Sequence, residues 1–288
     1  MKALQKSPIA PDRAFECRFL KARHFDPNWH FHSEYQLFIV LKGSGTRFIG
    51  DHVHPFKPGD LVLTGPNLPH LWRSDPEYFE GDRERWTEGI VIYFPKDFFG
   101  NQFIQKLEMV QIRKLLSKAE SGISFHGRTS EKAKRMMLQL INMKNFDSIL
   151  HLLNILQVLA ETEEYHLLAN PGYSNSLKES DTERMNKVHA YVMKNFREKI
   201  TLEEVAALAN MTPSSFSRYF KTHANKTFSE FLTSIRIGYS CKLLLEKKVK
   251  ITQACYDSGF STLSNFNRQF KAFTQCSPLQ YRNRYLSK

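Results

Sequence analysis

Two arginines in this chain occupy the same setting. Phe216-Ser217-Arg218-Tyr219-Phe220-Lys221 returns fifty residues later as Phe266-Asn267-Arg268-Gln269-Phe270-Lys271. On a helix, residues four apart share a face, so each phenylalanine pair can enter a core. Arg218 and Arg268 then fall on a different face, with Lys221 and Lys271 one turn along. The chemistry open to such a face is nucleic-acid recognition. A guanidinium can pair with both acceptors of a guanine edge, an asparagine with an adenine edge, and a lysine can neutralise phosphate. The groove-facing set reads as Ser214, Ser217, Arg218 and Lys221 on the first helix. On the second it reads as Ser264, Asn265, Asn267, Arg268 and Lys271. Serine reads little alone, so the first helix is expected to lean on phosphate contacts and shape. The competing use of the two arginines is a structural salt bridge or a phosphate clamp.

Such helices need to be held at an angle, and the flanking residues supply the means. Ahead of the first copy, residues 200–209 read as a short helix with Thr201 as N-cap and Glu204 closing a capping box. Asn210-Met211-Thr212-Pro213 then gives a turn, a capping threonine and a proline suited to the first helical position. Ahead of the second copy, Ile251, Ala254 and Cys255 repeat the apolar spacing, and Gly259-Phe260 makes the turn. Each copy is therefore a helix-turn-helix. Residues 228–246 between them read as one helix of about 28 Å. That is close to the roughly 34 Å between successive major-groove turns.

Residues 200–284 resemble the DNA-binding domain of AraC/XylS-type transcriptional regulators. The resemblance rests on Ile251, Ala254, Gly259-Phe260-Ser261, Phe266, Arg268, Phe270-Lys271, Ser277-Pro278, Tyr281 and Arg282. It departs at Thr274-Gln275-Cys276, where a glycine is usual.

Strand-like runs at 15–25, 35–41, 46–49, 61–64 and 89–94, separated by turns, predict a sandwich or barrel. This part resembles the cupin barrel. His30-Phe31-His32, Gln36 and Gly43 follow its first motif, and 59–70, ending on His70, follows its second. Gln36 stands where an acid is usual, Gly65 where a proline is, and Asn67 where a glycine is. The resemblance implies that His30, His32 and His70 converge. Three imidazoles could then ligate Zn, Fe, Mn or Ni, contact a hydroxylated ligand, or pair with backbone. Ligand contact is the preferred reading and no cofactor is expected, since an amide is a poorer cation ligand than a carboxylate. The small-molecule effector set is Trp29, His30, His32, Tyr35, Gln36, Arg47, His70 and Trp72.

Residues 102–168 turn helical. Ala133, Met136, Met137, Leu140 and Ile141 form one stripe, and Ile149, Leu152, Leu153, Leu156 and Leu159 another. Leu150 and Ile155 widen the second stripe beyond one contact, so homodimerisation through these helices is weighed against simple packing on the barrel. Pro171-Gly172 and Ser174-Asn175-Ser176 mark a linker.

The expected architecture is thus multidomain. A cupin-like all-β sensor with following helices spans 1–169, a flexible linker 170–183, and an all-α DNA-binding domain 184–288, with helix-turn-helix units at about 200–222 and 250–273. Charge agrees: of a net +12, residues 181–288 hold 18 Lys and Arg against 8 Asp and Glu. With 41% hydrophobic and 24% charged residues, the composition is that of a soluble globular protein. No apolar run reaches the roughly 20 residues a membrane helix needs, and no apolar segment follows Met1-Lys2-Ala3-Leu4. Cys17, Cys241, Cys255 and Cys276 show no paired spacing, and the last three are read as small apolar residues of helices. A cytoplasmic protein is expected. The resemblance implies a regulator, not an enzyme, whose partners are double-stranded DNA, a small-molecule effector, a second copy and RNA polymerase. The alternative is a metal-dependent cupin enzyme carrying a DNA-binding domain.

Overall fold

The computed structural model describes residues 8–79, 85–170, 173, 179–245 and 249–286. The first residues, half of the expected linker (171–172 and 174–178) and Glu246 therefore lie outside the described residues. The chain divides into two compact units, with the changeover at about residue 175.

In the N-terminal unit, β1 (Glu16–Ala22), β2 (Tyr35–Lys42), β3 (Gly45–Ile49), β4 (His52–Phe56), β5 (Leu61–Thr64), β6 (His70–Ser74) and β7 (Thr87–Phe94) come first. They are followed by α1 (Val110–Ala119), β8 (Ile123–Phe125), α2 (Gly127–Leu140), α3 (Asn145–Ala160) and β9 (Tyr165–Leu167). The strands form a six-stranded sheet in the order β1-β7-β2-β5-β8-β9 and a three-stranded sheet β4-β3-β6.

The larger sheet is apolar on both faces, and its strands alternate between two cores. Tyr35, Leu37 and Ile39 of β2, Leu61 and Leu63 of β5, and Ile90, Ile92 and Phe94 of β7 pack with α1, α2 and α3. Their neighbours Phe38, Val40, Val62 and Val91 turn the other way, to meet Ile49, Phe56 and Trp72 of the smaller sheet. Each such buried side chain contributes about 1.5–3 kcal/mol. Gln36, between Tyr35 and Leu37, lies on this inner face by the two-residue period of a strand.

β1, β2, β3, β5 and β7 match the expected strands to within a few residues. β4, β6, β8 and β9 were not foreseen. Both predicted helical stripes are present: Ala133, Met137 and Leu140 are buried on α2, and Leu152, Ile155, Leu156 and Leu159 on α3.

The C-terminal unit is helical: α4 (Glu179–Asn195), α5 (Leu202–Leu208), α6 (Pro213–Ala224), α7 (Phe228–Leu244), α8 (Ile251–Asp257), α9 (Leu263–Thr274) and α10 (Pro278–Leu286). The Thr201–Glu204 capping box forms, and Thr212 caps α6 with Pro213 in its first turn. α7 ends at Leu244, two residues before the expected end, and spans about 25 Å. It is buried nearly all round. Phe228 and Phe231 meet the α6 phenylalanines, while Ile237, Cys241 and Leu244 join the α8–α9 core. α4 begins inside the stretch expected to be linker. Cys241 and Cys255 are buried on α7 and α8, but Cys276 lies in the turn between α9 and α10 and not on a helix.

The missing glycine before Ser277-Pro278 has a structural answer. Gln275 itself takes the left-handed conformation, φ 60°, and its N–H donates to Lys271 O. Asn225 takes the same left-handed conformation after α6, at φ 53°. A β-branched residue tolerates this region worst. Gln275→Val should therefore lower the stability of the C-terminal unit by about 1 kcal/mol or more, seen as a lower urea midpoint, whereas Gln275→Gly should hold or raise it. Equal effects of the two would contradict this account of the turn.

Candidate functional site

The two repeat helices, each of 12 residues, have the same burial pattern position by position over 213–222 and 263–272. Phe216, Phe220, Phe266 and Phe270 are fully buried. Ser214, Ser217, Arg218 and Lys221 on α6, and Ser264, Asn265, Asn267, Arg268 and Lys271 on α9, are all exposed. The structure thus brings each predicted set onto one solvent face. Among the described residues no ion pair engages Arg218, Lys221, Arg268 or Lys271. Arg268 is steered by its own helix, since its Nη2 donates to Asn265 Oδ1 at 3.1 Å. Asn265 is in turn set by the cap, its N–H donating to Thr262 Oγ1.

Two other arginines have a different employment. Arg236 donates from Nε and Nη2 to the carbonyls of Phe196 and Glu198, at 2.7 and 2.8 Å. Arg282 does likewise to Leu244 and Val249. Both satisfy carbonyls at or just beyond helix ends.

In the N-terminal unit, His30 and His70 exchange backbone hydrogen bonds of 3.3 and 2.9 Å, which sets their rings 4.6 Å apart edge to face. His32 lies 5.0 Å from His70, with the ring of Tyr93 against its other side at 5.2 Å. Asn67, left-handed at φ 59°, donates its N–H to His32 O and completes the turn before β6. Each imidazole donates its Nδ1–H to a carbonyl: His30 to Asn28 at 2.7 Å, His32 to Glu34 at 3.1 Å and His70 to Leu68 at 2.7 Å. Gln36 Oε1 lies 3.2 Å from Nε2 of both His32 and His70. One ring nitrogen from each of the three histidines falls within 4.8 Å of the others.

Burial disfavours charge on His32 and His70. It holds His70 well below the usual imidazole value, and the neighbouring His30 and His32 push the same way. His32 is lowered by burial and by His30 against the opposing contacts to Gln36 and Glu34. The Tyr93 hydroxyl is pushed up to about 12 by burial.

The remaining predicted effector residues separate from this cluster. Arg47, 3% exposed, is held by Asp60 at 2.6 Å. Trp72 Nε1 donates to the other oxygen of Asp60 at 3.1 Å, although its ring still lies 5.9 Å from His70. Tyr35, 6% exposed, stacks on Phe94 at 5.0 Å in the core under the helices, on the opposite face of β2 from Gln36. Trp29 is buried edge-on to Phe48 at 6.4 Å.

Against known families, residues 205–284 match the model described as a helix-turn-helix domain, and residues 14–101 the one described as an AraC-like ligand binding domain. The chain belongs to the AraC family of helix-turn-helix transcriptional regulators. Its two functional parts coincide with the two constellations above, an effector-binding domain and a DNA-binding domain. This AraC-type chain is similar along 99% of its length to the HTH-type transcriptional activator RhaR of Mannheimia succiniciproducens, at 21% identity over 95% of that protein. It is 32% identical to the uncharacterized HTH-type transcriptional regulator YdeC of Bacillus subtilis over 34% of each. Among solved structures, ToxT of Vibrio cholerae O395 aligns with 94% of the chain and 98% of its own, at 15% identity and a TM-score of 0.36. Among the described residues no helix is long and apolar enough to cross a membrane.

Reasoning from sequence missed Glu34, Asp60 and Tyr93. Asp60 stood in a turn signal, Pro58-Gly59-Asp60, and nothing local ties it to Arg47. Glu34 and Tyr93 carried a findable signal: one lies two residues from His32 and the other faces inward on β7.

Proposed function

We propose that α6 and α9 are the two recognition helices of this regulator. Ser214, Ser217, Arg218 and Lys221 on one, and Ser264, Asn265, Asn267, Arg268 and Lys271 on the other, form the groove-facing sets. The observation that carries this is the duplicated burial pattern: two helices anchored by paired phenylalanines, each presenting Arg and Lys without ion-pair partners among the described residues. α9 is the stronger base reader, because Asn and Arg both reach bidentate geometry while the α6 serines do not.

His30, His32, Gln36 and His70 are the polar centre of the effector site in this reading, with Trp72 beside them. Arg47 supports the site through Asp60 and does not touch the effector. The chain works in the cytoplasm as a homodimer, contacts RNA polymerase, and regulates transcription without catalysis. The dimer reading is supported by Phe146 at 66% and Leu150 at 44% exposure on α3, apolar surface that packing within the unit leaves uncovered.

Arg268→Ala tests the recognition reading on DNA selected from a random pool by the full chain. If Arg268 reads a base, affinity for the selected site should fall by about 1–3 kcal/mol and preference at one position should relax. If it holds phosphate only, binding to all sequences falls together and the salt slope shrinks by about 1. An Arg268→Ala protein that is folded and unchanged in both respects would remove α9 from the interface.

A further inference from the structure

We infer that Asn265 reads no base of its own but is the positioning residue for Arg268, so that the two recognition helices read DNA with unequal strictness. The inference rests on the reading of α9 as a recognition helix.

The bond from Arg268 Nη2 to Asn265 Oδ1, 3.1 Å long, settles the orientation of both side chains. A guanidinium has no acceptor, so the amide oxygen and not its nitrogen must face Arg268. Adenine recognition asks an asparagine to accept with that oxygen and donate with its nitrogen along one base edge. Asn265 spends the oxygen on its own helix instead. Arg268 loses little by the bond, since enough N–H groups remain on its fork for the paired bonds to guanine O6 and N7. Asn265 is also a firm anchor. It sits in the first turn of α9, where its N–H donates to the capping hydroxyl of Thr262 at 3.3 Å. Thr262, Asn265 and Arg268 therefore follow one another three residues apart, as cap, anchor and reader. The adenine-reading role on α9 falls to Asn267, whose amide no hydrogen bond engages among the described residues.

α6 has the same frame without the anchor. Thr212 caps it, and the position matching Asn265 is Ser215, whose N–H donates to Thr212 Oγ1 at 3.3 Å. The Ser215 hydroxyl accepts from Thr212 Oγ1 at 3.0 Å, so it is directed at the cap and not at residue 218. Arg218 takes part only through its carbonyl, which accepts from Thr222, and among the described residues no hydrogen bond holds its guanidinium. Restraining an arginine before binding removes part of its ordering cost. It also removes the option of turning to a neighbouring base or phosphate. Arg268 should therefore hold its position to a narrow choice of base, while Arg218 tolerates more than one. The sequence repeat hides this difference, because the two arginines match within it.

The test is selection of DNA from a random pool by the full chain and by Arg218→Ala, Arg268→Ala, Asn265→Ala and the Asn265→Ala/Arg268→Ala pair. Asn265 is exposed, so its replacement should leave the melting curve in place. The two arginine variants locate the position each arginine reads, as the one where preference relaxes. In the wild-type pool the Arg268 position should be the stricter. Asn265→Ala should relax that same position and no other, lowering discrimination there by about two- to tenfold. Added to Arg268→Ala, it should change nothing further. Relaxation at a separate position, or a further loss in the double variant, would make Asn265 a base reader and overturn the inference. An unchanged preference in Asn265→Ala overturns it as well, and so does an Arg218 position as strict as that of Arg268. In each of these cases Arg268→Ala still relaxes a position and α9 remains a recognition helix. If Arg268→Ala itself relaxes no position, the reading of α9 falls, and this inference with it.

Discussion

Phe270→Ala is expected to lower the stability of the C-terminal unit by about 3–5 kcal/mol. The ring is fully buried, 5.5 Å from Phe266 and edge-on to Tyr281 at 5.5 Å, within a core completed by Ile237, Leu244, Ala254 and Cys255. Truncation removes its transfer energy and opens a cavity that helices fixed on three sides cannot close. A domain of this size holds only about 5–15 kcal/mol in total, so the variant loses a large share of it. Two urea transitions followed by circular dichroism would report this. The C-terminal one should move and the N-terminal one should stay. DNA binding should fall only in proportion to the unfolded fraction. A Phe270→Ala protein of wild-type stability that no longer binds DNA would instead make Phe270 a contact residue.

The second large effect belongs to Gly259→Ala. Gly259 sits at φ +85°, and a Cβ there would meet Phe196 O at 2.7 Å and Arg197 O at 2.8 Å. Those are backbone atoms at the end of α4, the same segment whose carbonyls Arg236 holds, so they cannot yield as a side-chain tip would. Backbone strain of about 1–3 kcal/mol adds to overpacking of about 1–3 kcal/mol. The angle between α8 and α9 is set by this turn, so DNA affinity should fall even in the folded fraction. Gly59→Ala is the control, since Gly59 has φ +94° but open space around its Cβ position. It should carry the strain alone, in the N-terminal unit. If Gly259→Ala proves no worse than Gly59→Ala, close approach is not what requires glycine at 259.

What could be read from sequence follows a physical division. Helix-turn-helix units are built from contacts a few residues apart, so capping threonines, the turn glycine and paired phenylalanines all lay within one window. α4 was legible too. Met185, Val188, Val192, Met193 and Phe196 are buried at helical spacing, but the polar residues before them drew the reading toward linker. The barrel was harder. β1 pairs with β7 some seventy residues away, and β4 and β6 are short runs with His, Pro and Arg that lack a strand-like alternation. The histidine cluster was placed by motif spacing, yet Tyr35 was assigned to it although the strand period puts Tyr35 and Gln36 on opposite faces. Arg47 and Trp72 were expected to be available to a ligand. Asp60, the partner that engages both, is adjacent only after folding.

If one chain reads DNA with two helices, base-modification interference on the selected DNA should reveal both. The chain should show two clusters of protected major-groove positions on one face, about one helical turn, 10–10.5 base pairs, apart. Arg218→Ala should erase contacts in one cluster and Arg268→Ala in the other. A single cluster, or two that neither substitution alters in folded protein, would contradict the account.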